Sequence, residues 1–198
     1  VCGFSGSFNN GDVTGNHGLF DSWVVKLSKN GLLIWEKSLG GTNADYARSI
    51  IQTSDGMFIV AGEAKSNNGD VTGNNGVQVA WVVKLNGEGD LIWQKALGGT
   101  DGEGCNSIQQ TSDGGYVLAG YAWSNNGDVS GNHGEADYWV VKLAPESTPT
   151  TQPSPQTLNL YPNPTTQSIT IQIPDTESTL NIQITDLLGR ELGRQTIP

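Results

Sequence analysis

The sequence repeats itself every 58 residues, and no other feature constrains the fold as tightly. The stretches "FNNGDVTGNHG" (8–18), "SNNGDVTGNNG" (66–76) and "SNNGDVSGNHG" (124–134) are near copies. Asp12, Asp70 and Asp128 hold the same place in them, and 70 − 12 = 128 − 70 = 58. The interval also links Trp23, Trp81 and Trp139, each opening "WVVKL". It links "LIW" at Leu33 with Leu91, "LGGT" at Leu39 with Leu97 and "TSDG" at Thr53 with Thr111. The register slips once, at Phe8, an extra residue in the first copy. Such a chain builds one unit several times and stacks the copies on a shared core.

One period, residues 40–97, holds four short apolar stretches: "RSIIQT", "MFIVAGEA", "AWVVKL" and "LIWQKAL". Their length and their β-branched and aromatic content predict strands rather than helices. "TSDG" joins the first two and "NGEGD" the last two, and such Asp-Gly and Asn-Gly turns permit the positive φ of tight hairpins. Four hairpin-connected strands per repeat describe a β-propeller blade. A β-helix rung would be shorter, and a sandwich would not need identical repeats. The fold class expected is therefore all-β, with about two and a half four-stranded blades. In an up-and-down blade the tight turns fall at one end. The long polar loop and the "LGGTNADY" crossover fall at the other.

The chain changes character near residue 144. All eight prolines lie at Pro145 or later, whereas all six tryptophans and 25 of the 27 glycines precede it. This gives 1–143 as the repeats, 144–157 as a Pro/Thr-rich, semi-rigid linker, and 158–198 as a separate domain. The last segment carries Tyr161-Pro162-Asn163-Pro164, the alternating "SITIQI", and Ile184-Thr185-Asp186 followed by Leu188-Gly189-Arg190. It resembles the C-terminal sorting domain of proteins exported by the type IX secretion system. The resemblance implies an incomplete immunoglobulin-like β-sandwich that addresses its passenger to the secretion machinery, with Tyr161, Pro162, Asn163, Pro164, Asp186, Gly189 and Arg190 as its motif. It also implies an extracellular or outer-surface location after export. The 58-residue repeats likewise resemble blade-like repeats of such passengers. Beginning inside a second strand at "VCGFSGS" and ending inside the sorting domain, the chain reads as a fragment with more blades upstream and its signal peptide elsewhere.

Charge and hydropathy narrow the partners. Ten basic against twenty acidic side chains give a formal charge of −10, so no basic footprint exists for nucleic acid. No apolar run is long enough for a transmembrane helix. Cys2 and Cys105, the only cysteines, lie at non-equivalent strand positions and are expected as free buried thiols.

Candidate sites follow from the loops. "NNGDV" has the oxygen-rich character of calcium loops, with Asp12, Asp70 and Asp128 as carboxylates. Ca²⁺ needs six to eight oxygens and usually several carboxylates. Each loop offers one such group, and Val79 stands where Asp21 and Asp137 close the other two. Asx side chains holding turns are the preferred reading, with no cofactor expected and calcium the alternative. His17 and His133 each lack a second ligand for zinc. Trp23, Trp81, Trp139, Trp35 and Trp93 read as inter-blade packing. Lys26, Lys84 and Lys142 read as paired structural cations or a solvated edge. Trp123 differs, since Gly6 and Lys65 occupy its place in the other copies. With Tyr121, Asn126, Asp128, Asn68 and Asp70, it forms the expected ligand-contact set on the loop face. No nucleophile–base constellation or metal-spaced Cys/His set occurs, so no catalysis is expected. The function expected is a secreted surface module binding a glycan or protein. The rivals are a non-catalytic region of a larger secreted hydrolase and a structural spacer.

Overall fold

The computed structural model describes residues 1–8 and 10–146, together with two strands at 180–185 and 191–197. It divides into two compact units, Val1–Thr148 and Pro149–Pro198.

The first unit is built from strands alone: β1 (Cys2–Ser5), β2 (Asp21–Leu27), β3 (Leu33–Leu39), β4 (Asp45–Gln52), β5 (Phe58–Ala64), β6 (Val79–Leu85), β7 (Leu91–Leu97), β8 (Glu103–Gln110), β9 (Tyr116–Ala122) and β10 (Asp137–Leu143). Three antiparallel sheets result, ordered β1-β2-β3, β4-β5-β6-β7 and β10-β9-β8. Strands 58 residues apart begin and end at matching positions, so the sequence period is also a period of structure. "RSIIQT" and "WVVKL", where a helix would have contradicted the sequence reading, lie in strands.

Tight turns close the hairpins as their residues dictate. In "TSDG", Gly56 and Gly114 adopt φ of 84° and 85°, and the Thr53 and Thr111 carbonyls accept from those glycines at 2.9 Å. Neighbouring sheets are stitched by single parallel bridges, Phe20 with Ala44 and Gln78 with Gly102.

The core lies between the sheets. Trp81, Val83 and Leu85 of β6 pack toward the first sheet, in a cluster with Val24, Leu39, Ala47 and Val60. The alternate residues Ala80 and Val82 pack toward the third, with Ile59, Ala61, Ile108 and Leu118. Period-two alternation thus serves two interfaces at once, and β6 is buried along its whole length. Trp81 is fully enclosed, and its Nε1 donates to Gln94 Oε1 at 2.8 Å. Both thiols are free: Cys105 is buried and Cys2 only half-buried. Burial pushes the Cys105 thiol up to about 11. The lysines of "WVVKL" are structural cations. Lys26 donates to Gly87 O at 2.8 Å, Lys84 pairs with Glu146 at 2.7 Å, and Lys142 pairs with Asp113 at 2.9 Å.

Candidate functional site

Each polar loop lies across the crossover that enters its sheet. Asn68 Oδ1 accepts from Thr42 N–H at 2.9 Å, and Asp70 Oδ2 accepts from Gly40 N–H at 3.1 Å. The next copy repeats this with Asn126 on Thr100 at 3.0 Å and Asp128 on Gly98 at 3.1 Å. Gly69 and Gly127, at φ of 64° and 63°, let the loop pass this close. A Cβ on either would lie 2.4 or 2.3 Å from the carbonyl of Gly40 or Gly98. The valine after each aspartate, Val71 or Val129, is buried and anchors the loop. The candidate residues Asn68, Asp70, Asn126 and Asp128 therefore stand on the expected loop face with these acceptor atoms committed to crossover backbone.

Beneath each crossover sits a fully buried acid. Asp45 accepts from Gly41 N–H at 2.8 Å, Ser66 Oγ at 2.6 Å, and the Lys65 and Ser66 amides at 3.1 Å. Its counterpart Glu103 accepts from Gly99 N–H at 2.8 Å and Ser124 N–H at 3.0 Å. A buried polar group of this kind is tolerable only when so fully hydrogen-bonded.

The other sequence candidates are placed as follows. Asp12 is exposed, and its loop has no preceding crossover to hold among the described residues. His17 Nδ1 meets Asp21 at 2.7 Å and His133 Nδ1 meets Asp137 at 3.1 Å. Sequence reading noticed both residue types but not their pairing. The signal was present, because the copy with Asn75 in place of histidine also has Val79 in place of aspartate. Burial raises the Asp21 carboxyl above its ordinary range, with the His17 bonds opposing. No group of three or more His, Cys, Asp or Glu side chains able to hold a metal gathers among the described residues.

Tyr121 belongs to a polar network between the second and third sheets. Its hydroxyl donates to Glu63 Oε2 at 2.9 Å and accepts from Gln78 Nε2 at 3.0 Å. Arg48 holds the other Glu63 oxygen at 2.6 Å. At the equivalent place between the first two sheets, Phe4, Phe20 and Tyr46 pack ring on ring. Gly104 stands where Tyr46 does in the other copy, and a Cβ there would meet the Tyr121 ring at 2.7 Å. Tyr121 fills the space that glycine leaves.

Trp123 is a half-exposed aromatic of this end. At 48 % exposure its indole lines a shallow groove with Val77, Asp101, Gly102 and Glu135. Val77 is still more exposed. The Asp101 and Glu135 carboxylates make no hydrogen bond among the described residues. Glu135 holds a left-handed backbone at φ 52°, a conformation that side-chain-bearing residues avoid. Sequence reading found Trp123 but missed Val77, Asp101 and Glu135. Asn43 matches Asp101, and Leu19 and Val77 match Glu135, so departures from the repeat mark the same groove.

In the second unit, β11 (Leu180–Thr185) pairs antiparallel with β12 (Glu191–Ile197), with a register shift at Ile184/Thr185. Residues 159–198 match the secretion system C-terminal sorting domain. The chain thus carries the type IX sorting domain that its Tyr-Pro-Asn-Pro and Ile-Thr-Asp motifs suggested. That sorting domain marks proteins exported to the cell surface or extracellular space, and it implies interaction with the secretion machinery. Tyr161, Pro162, Asn163, Pro164, Asp186, Gly189 and Arg190 lie outside the described residues, as does linker 147–157. No curated protein matches the chain. No helix among the described residues is long and apolar enough to cross a membrane.

Proposed function

We propose that the repeats form part of a β-propeller and serve as a non-catalytic binding module at the cell surface, engaging a glycan through the Trp123 groove. The observation that carries this is the contrast at the loop end. Asn68, Asp70, Asn126 and Asp128 spend acceptor atoms on the crossovers. Trp123, Val77, Asp101 and Glu135 remain open to solvent. An indole face packs against the C–H face of a sugar ring, as apolar bodies with a polar rim do. Carboxylates beside it accept from sugar hydroxyls in charge-assisted bonds. A protein ligand is the other occupant such a groove takes.

A structural spacer is the second reading. The loop–crossover bonds favour it, since they account for the conserved wording of the repeats' polar loops without any ligand. The test is a titration of ¹⁵N-labelled protein with a panel of soluble polysaccharides, following the six indole N–H signals. A shift confined to Trp123 and its neighbours supports glycan binding. Unmoved indoles across the panel, or shifts only at the tight-turn end, would contradict it.

A further inference from the structure

Twice in this chain, a side chain on the last strand of a sheet closes a bracket between a tryptophan and a loop hydroxyl. Glu36 of β3 accepts from Trp23 Nε1 at 2.8 Å and from Thr14 Oγ1. Gln94 of β7 accepts from Trp81 Nε1 at 2.8 Å and donates to Thr72 Oγ1 at 2.6 Å. The third copy has the first two members, Trp139 and Ser130. Yet among the described residues β10 is an edge strand, paired only with β9.

A cavity of about 260 Å³ lies where a third member would stand, lined by Ser130, His133, Asp137, Tyr138 and Trp139 among others. Along the same strand Tyr138 is 100 % exposed and Val140 68 %, while their equivalents Ala80 and Val82 are buried. The described residues that follow β10 end at Glu146 and are held elsewhere. Pro145 lies beside Gly114 and Gly115, and Glu146 is held by Lys84 and Tyr116.

We propose that the β10 edge is a docking site for an extended polypeptide strand of the pattern Leu-Ile-Trp-(Glu/Gln)-Lys-x-Leu. The strand adds antiparallel to Asp137–Leu143 and seats its Glu or Gln between Ser130 and Trp139. An unpaired edge supplies the backbone bonds of strand addition, and the pocket supplies the side-chain selection. The register carries over from the second sheet, where Val83 faces Gln94 and Lys84 faces Trp93. The incoming Glu or Gln therefore faces Val141, and the incoming tryptophan faces Lys142.

The probe is a synthetic peptide with the sequence of residues 90–100, added to the full chain. Hydrogen exchange should slow across Asp137–Leu143 and stay unchanged across Asp21–Leu27 and Val79–Leu85. A peptide with leucine in place of the glutamine should bind roughly tenfold more weakly, the cost of about one buried hydrogen-bonding group left unmet. Ser130→Ala in the protein should weaken binding similarly without moving its melting temperature, and Trp139→Phe should weaken binding as well. The proposal is overturned if exchange at β10 ignores the peptide, or if the leucine peptide binds equally well. It is also overturned if β10 is already protected without peptide, whether at all concentrations (its own chain) or only when concentrated (a second copy).

Discussion

Asp70 and Gly40 are bonded to each other twice. The Asp70 carboxylate accepts from the Gly40 N–H at 3.1 Å, and the Asp70 N–H donates to the Gly40 carbonyl at 2.9 Å. Asp128 and Gly98 repeat the relationship at 3.1 and 3.0 Å. This two-way clamp ties each polar loop to the backbone entering its sheet.

Removing the clamp should therefore cost stability. Asp70→Ala leaves the Gly40 N–H without this acceptor, and about 1–3 kcal/mol of destabilisation is expected. Asp128→Ala, at a more exposed loop, should fall at the lower end. Asp12→Ala, on the loop with no described crossover to hold, should be nearly neutral. Urea denaturation of the three variants checks the order.

Trp81→Ala is expected to cost roughly 3–5 kcal/mol, the range for a buried aromatic replaced by alanine. Trp81 joins the core between the first two sheets and donates to Gln94. Trp81→Phe should recover most of the loss, because packing rather than the indole bond dominates. Thermal melts of the pair decide this.

The turn aspartates set the acid limit. Asp55 lies below the usual carboxylate range chiefly through its bond from Thr53, and Asp113 well below it through Thr111 and Lys142. A depressed carboxylate contributes stability above its unfolded value, about 4, and loses it as pH falls through the folded value. The melting temperature should drop below about pH 4, and Asp113→Asn should flatten that drop. Asp21, raised by burial, acts with the opposite sign. Asp21→Asn should gain on the parent protein as pH rises from about 4 toward 7.

Cys105 should resist alkylation in the folded chain. Its thiol is enclosed and pushed up to about 11, and the thiolate is the nucleophile. With iodoacetamide at neutral pH, modification of Cys105 should appear only as the protein unfolds in urea. Cys2, half-buried and also raised, should react sooner.

The period, the strands and the tight turns were legible because they are local. "TSDG" and "WVVKL" declare themselves within a few residues. The clamps were not, because Asn68 and Asp70 bond backbone amides 26 and 30 residues away. Backbone partners leave no mark in side-chain identity. The Glu63–Tyr121 bond spans 58 residues and exists only once two sheets face each other. Trp123 was legible as the aromatic the repeat does not require. Its groove was not, since Val77 and Asp101 reach it from separate segments.

In the proposed function the loops hold the fold while the Trp123 groove holds a glycan. Its most direct test is binding to an immobilised polysaccharide array by the parent protein, Trp123→Ala and Asp128→Ala, each beside its thermal melt. Trp123→Ala should lose binding with its melt unchanged, and Asp128→Ala should melt lower yet bind normally while folded. Normal binding by Trp123→Ala, with loss in folded Asp128→Ala, would contradict it.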